Sequence, residues 1–184
     1  MNETDIIRNY CIYVLFPIWV IVGFLDFLQH RKTNIAETSG LMESISHQLL
    51  LLSMGPAILC GLFLEINKMV LLVMIVCLAI HQILVYIDVW FARNYHRDIQ
   101  PIERMYHIYI VMISVTLLSA IVVLKWSELT LNSARDLQFH WKAQPLSSAG
   151  IILAFALMVG LGIIPYSIEL YSCYAKSKLR KEVK

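Results

Sequence analysis

The sequence predicts an all-α fold: an integral membrane bundle of five transmembrane helices, four of them surrounding a polar site at the cytoplasmic end. Three observations predict it. Of 184 residues, 59% are hydrophobic and only 15% are charged, where a soluble domain carries about 25% charge. Five apolar runs each approach the roughly 20 residues that a helix needs to cross a bilayer. Acids and histidines occur in pairs at the ends of those runs, on the ends that one topology brings together.

The first run, Tyr10–Leu28, has too long an apolar stretch for a signal peptide and no small-residue cleavage site after it. It is expected to be retained as a span. The second and third, Ser46–Ile66 and Met69–Ala92, are separated by little more than Glu65, Ile66, Asn67 and Lys68. So short a connection predicts an antiparallel hairpin. The fourth, Met105–Trp126, follows Pro101, a residue suited to the first turn of a helix. The fifth, Ser148–Tyr171, contains Gly160, Gly162 and Pro165, which predict close packing and a kink. It carries only Glu169 near the polar end and reads as a buttress. Arg31–Ile45 and Ser127–Leu146 are polar enough to lie at or beyond the membrane surface. Residues 1–184 read as a single transmembrane domain without internal repeats.

Basic residues set the orientation. Arg31, Lys32, Arg93, Arg97, Arg104, Lys176, Lys178, Arg180, Lys181 and Lys184 fall on one side, and Arg8, Lys68, Lys125, Arg135 and Lys142 on the other. Ten against five predicts a multi-pass protein of the bacterial inner (plasma) membrane, N-terminus outside and C-terminus cytoplasmic. The basic tail serves as a topology anchor. A net charge of +2 gives no basis for nucleic-acid binding. Cys11, Cys60, Cys77 and Cys173 lack C-x-x-C spacing and read as small packing residues.

The acids and histidines can then be placed. Asp26/His30, Glu43/His47 and Glu103/His107 are each four residues apart, and His81/Asp88 are seven apart. Each pair shares a helix face. All eight fall on the cytoplasmic side, on four different spans, whereas His140 and Glu128 fall outside. A rise of about 1.5 Å per residue sorts them into two layers: Asp26, His47, His81 and His107 deeper, and His30, Glu43, Asp88 and Glu103 nearer the surface. Ionisable groups within apolar spans are costly and mark function. Acid–imidazole pairs on four helices suit a two-metal cage, with iron as the metal and zinc as the alternative. The competing reading is an ion network that holds the helices together. Glu37 and His96 are weaker candidate ligands, Glu37 because Glu37-Thr-Ser-Gly40 also suits a turn and helix cap. Arg31 and Arg97 are placed to orient the carboxylates from behind. Tyr86, Tyr95, Tyr106 and Tyr109 near the same end fit an interfacial aromatic belt.

The pattern Asp26-x3-His30-Arg31, Glu37-Thr38-Ser39-Gly40, Glu43-x3-His47, His81-x6-Asp88 and Arg97-x-Ile99-x-Pro101-x-Glu103-x3-His107 resembles a family of small bacterial integral-membrane proteins of unassigned function, over roughly the first 110 residues. It is more loosely similar to the histidine-box membrane desaturases and hydroxylases, which hold two irons at the cytoplasmic ends of their helices. No His-His pair occurs here, so their ligand residues do not transfer. The mixture of carboxylates and histidines is closer to the soluble four-helix di-iron proteins, with Glu-x3-His in place of their Glu-x-x-His.

The expected function is a di-metal membrane protein, a non-haem di-iron oxidoreductase acting on a lipid or other apolar substrate and served by an electron donor. A zinc-dependent hydrolase is the alternative. A metal or proton transporter and a haem-binding electron-transfer protein are further readings. Against transport, the outer halves of the spans are nearly all apolar; against haem, nearly every histidine has an acid one or two turns away.

Overall fold

The computed structural model describes residues 3–38, 40–94, 99–130, 137–143 and 146–182. These residues form five helices long and apolar enough to cross a membrane: α1 (Glu3–Lys32), α2 (Leu41–Phe63), α3 (Lys68–Asn94), α4 (Pro101–Leu124) and α5 (Ser148–Arg180). α1 and α3 run past both ends of the expected apolar segments, α2 and α4 begin earlier but stop at Phe63 and Leu124, short of Ile66 and Trp126, and α5 continues beyond Tyr171. α1 begins with a polar turn in which Glu3 and Asp5 stand at the N-terminal end and Arg8 pairs with Asp5 at 2.8 Å. The acids complement the positive end of the helix dipole.

The helices close into a ring. α2 packs on α3, α3 on α4, α4 on α1, and α5 fills the gap between α1 and α2. In the hairpin of α2 and α3, Ala57, Ile66, Val70, Met74 and Cys77 are buried together. Asn67 starts α3 by accepting the Val70 N–H at 3.0 Å, and its amide donates to the Gln138 carbonyl at 2.7 Å. The segment at 137–143 is thereby folded across the end of the hairpin, where Lys142 N–H donates to the Phe63 carbonyl. The Lys142 ammonium donates to the Gly61 carbonyl, one of the acceptors that a helix C-terminus leaves unpaired.

Two π turns interrupt the long helices, at Cys11–Leu15 in α1 and Met158–Ile163 in α5. Each lies two residues or fewer before a proline, Pro17 or Pro165. Proline has no N–H to offer the preceding turn, and a widened turn absorbs the mismatch. In the second of these turns a Cβ on Gly162 would lie 3.3 Å from Leu51 Cδ1, so glycine lets α5 approach α2 closely. Large apolar side chains cover the outside, among them Leu52, Leu72, Ile83 and Ile152. The buried charged residues, Asp26, His30, Glu43, His47, His81, Asp88, Glu103 and Glu169, all belong to one half of the bundle. The other half opens into a cleft of about 770 Å³.

Candidate metal centre

Local structure explains how the acids and histidines meet. α1 stops at Thr33, whose hydroxyl donates to the Gln29 and His30 carbonyls at 3.2 Å. The chain reverses through Asn34, at φ 52°, and Gly40, at φ 66° and ψ −136°. The Gly40 conformation is open essentially to glycine alone. Ile35 plugs the turn, 4% exposed, and its carbonyl accepts the Gly40 N–H at 2.8 Å. This tight return lays the first turn of α2, with Glu43, over the last turn of α1, with His30. Pro101 opens α4 as expected, and places Glu103 in the first turn.

His30 lies at the middle. Its Nε2 is 3.5 Å from Asp26 Oδ2 and 3.4 Å from Glu103 Oε1, and its Nδ1 is 3.5 Å from Glu169 Oε2. His47 Nδ1 is hydrogen-bonded to Glu169 Oε1 at 2.7 Å, and its Nε2 lies 3.2 Å from Asp88 Oδ1 at ion-pair distance. His107 Nε2 lies 3.3 Å from Asp26 Oδ2 and 3.9 Å from Asp88 Oδ2. Ser46 donates to Asp88 Oδ1. His30, Glu43 and Glu103 are each 0% exposed, Asp88 is 1% and Asp26 is 3%.

Two triads have ligand atoms close enough together to hold an ion: Asp26–His30–His107 and His30–Glu43–His47. Among the described residues, the cluster sets five buried carboxylates, those of Asp26, Glu43, Asp88, Glu103 and Glu169, against three histidines, His30, His47 and His107. With every carboxyl ionised and every ring protonated, two negative charges remain among these eight groups. Packed carboxylates repel unless a cation neutralises them. Among the described residues, Asp26 Oδ1, both ring nitrogens of His30, His47 Nε2, His107 Nδ1 and Glu169 Oε2 are buried and find ion-pair neighbours at most, with no close hydrogen-bond partner. Unpaired buried donors and acceptors are expensive, and oxygen and imidazole donors in this arrangement fit a metal such as iron or zinc.

His81 stands apart from these contacts. Its Nδ1 faces Ser53 Oγ at 3.1 Å and the Leu50 carbonyl at 3.3 Å, and its ring is 6.5 Å from that of Trp19. Asp88, expected to share its face, is engaged by His47 and Ser46 instead. His81 still borders a small cavity of about 80 Å³ together with Asp26, His47 and His107. Those four are the residues that the helix register assigns to the deeper layer.

Other candidates lie elsewhere. Glu37 is exposed and pairs with Lys176, which holds its carboxyl below the ordinary range through a hydrogen bond and its charge. Its carbonyl accepts from Arg180 at 2.8 Å, so part of the basic tail ties α5 to the turn between α1 and α2. Arg31 lies over the Phe27 ring at 6.0 Å and makes no ion pair with a carboxylate among the described residues. His96 and Arg97 lie outside the described residues, as do Ser39 and Tyr95.

Two participants are not assigned by sequence pattern. Glu169 bridges His30 and His47, so α5 contributes a carboxylate and is more than a buttress. Tyr166, one turn before it, has its ring 5.5 Å from that of His47 and donates to the Gly23 carbonyl at 2.9 Å. The only signal was their spacing: Tyr166 and Glu169 are three residues apart and share a face. The other four tyrosines at this end gave none. Tyr86 and Tyr109 are exposed on the exterior.

No protein family, curated protein or solved structure matches this chain.

Proposed function

We propose that this chain is a multi-pass protein of the bacterial inner membrane, N-terminus outside and C-terminus cytoplasmic, whose cluster of carboxylates and histidines binds two metal ions. We take the metal to be iron and the protein to be a non-haem di-iron oxidoreductase acting on a lipid or another apolar substrate. The observation that carries this reading is His30: a fully buried imidazole with carboxylate oxygens of Asp26, Glu103 and Glu169 at 3.4–3.5 Å from its nitrogens, none of them, among the described residues, within close hydrogen-bonding geometry. A network built only to hold helices together would satisfy that ring.

Asp26 and His107, with one nitrogen of His30, would hold one ion. Glu43 and His47 would hold the other, with Asp88 and Glu169 close enough to bridge or orient. Bound iron would supply redox chemistry with dioxygen as oxidant and electrons from a separate donor. The protein's own part is placement and dryness. Ser46 orients Asp88, Tyr166 fixes the wall beside His47, and Leu50, Leu51, Ile110 and Met158 line the adjoining cavity with apolar surface. Such a wall excludes water and suits an apolar substrate.

Elemental analysis and an absorption spectrum of the purified protein test this. Two irons per chain without an intense Soret band support it. Two zincs and no iron replace the oxidoreductase with a zinc-dependent hydrolase, and a Soret band replaces it with haem. A chain that carries no metal when purified from iron- and zinc-replete cells removes the reading.

A further inference from the structure

The half of the bundle remote from the acids is hollow. Its cleft of about 770 Å³ is within the range of small-molecule sites, about 300–1,000 Å³. Phe16 and Trp19 of α1, Ile58 of α2, Met74 of α3 and Leu118 of α4 form apolar walls. Its mouth is different in kind. Arg8, Lys125 and Lys142 converge there from α1, the end of α4 and the segment at 137–143. Among the described residues, Glu65 and His140 also lie at the rim, and Glu65 Oε1 accepts the Ala143 N–H at 3.4 Å. Arg8 shares its charge with Asp5. Among the described residues, and with Asp5 counted, the mouth sets three cations against two acids, above a pocket walled by hydrocarbon.

The floor matters equally. Trp19 and Ile58 border both this cleft and the small cavity beside Asp26, His47, His81 and His107. The two spaces are therefore neighbours along the bundle axis. From Arg8 to Asp26 α1 rises about 27 Å, the length of a long extended chain rather than of a compact ligand.

We propose that the cleft binds an anionic amphiphile with a long apolar chain, its carboxylate or phosphate held by Arg8, Lys125 and Lys142 and its chain running between the helices to Trp19. The chain's far end would then face the acid–histidine centre, making this ligand the substrate; that last step rests on the proposed function, whereas binding does not. The electrostatics agree. Burial, with Lys125 and Arg8 nearby, pushes the Lys142 ammonium down to about 8, and an anion at the mouth relieves that repulsion.

Quenching of Trp19 by dibromostearate provides the test, with the metal-loaded protein in a neutral detergent. The expected result is saturable quenching that disappears in Trp19→Phe, weakens about tenfold in the double variant Arg8→Gln and Lys142→Gln, and is blocked by Ser114→Phe within the cleft. Glutamine at 142 keeps a donor for the Gly61 carbonyl, so loss of the charge is separated from loss of the fold. Palmitate and cetyl phosphate should compete, and cetyl alcohol should not. Competition by a two-chain phosphatidylglycerol as well would identify a bilayer lipid as the source, and its failure a free single-chain amphiphile. Quenching that is non-saturable, equal with a brominated alcohol, or indifferent to the two charge removals overturns the proposal. Metal content measured on the same samples keeps the readings apart: metal present without binding overturns the cleft alone, and binding without metal overturns the di-metal centre alone.

Discussion

The imidazole rings of His30 and His47 stack face to face, centroids 4.3 Å apart and planes 5° apart. They come from antiparallel helices, and carboxylates flank both. Two protonated rings at that separation would repel, so the arrangement is best satisfied when ring nitrogens point at cations outside the stack.

Removing metal should destabilise the protein. A ligand bound only by the native state adds RT ln(1 + [L]/Kd), about 2.7 kcal/mol at a hundredfold excess over Kd. Thermal unfolding in detergent should show a lower Tm after chelation, restored on re-addition of metal. Equal Tm values would favour an ion network.

Glu169→Ala removes one carboxylate and the tie between the two histidines. Metal affinity should fall at least by the roughly 10–100-fold associated with loss of an orienting partner. His81→Ala should stay within that range, because His81 contacts Ser53 and Leu50 rather than the carboxylates. Competition against a metal-binding dye ranks the two.

Gly40 holds the return from α1 to α2 in a conformation unsuited to other residues. Gly40→Ala should cost about 1–3 kcal/mol and reduce metal occupancy, since it displaces Glu43 relative to His30. Full occupancy with an unchanged Tm would contradict this role for the turn.

Lys142 gives a pH signature. Burial, then Lys125 and Arg8, hold its native pKa down to about 8, while the unfolded chain has the ordinary value near 10.4. Between those values the unfolded state binds more protons, so stability should rise with pH from about 8 towards 10. Lys142→Gln should remove that rise in a denaturant titration at stepped pH, with Glu65, His140, Arg8 and Lys125 left in place.

Much of the arrangement was legible in the sequence because it follows from two strict periodicities. Apolar length marked the five helices, and i, i+4 spacing put Asp26 with His30, and Glu43 with His47, on shared faces. Asp26, His47, His81 and His107, placed at one depth by the same register, border one small cavity, while the two ion-sized triads each draw on both depths. Pairing between helices was less so. His81 and Asp88 share a face, but neighbouring helices offered Asp88 closer partners in His47 and Ser46. Glu169 had no histidine on its own helix, and its partners come from α1 and α2. Glu37 resembled a ligand by sequence position but meets Lys176 across the chain reversal. The cleft left no periodic signal, because it arises from how the helices part.

The central claim is that two ions share this cluster through His30, and metal counting across three proteins tests it most directly. Wild type, His30→Ala and His140→Ala are purified side by side and their metal per chain is measured. The account predicts two ions in wild type and in His140→Ala, whose ring lies at the far end of the bundle. It predicts one or none in His30→Ala, the residue common to both triads. A wild-type protein without metal, or the same metal content in all three, would contradict it.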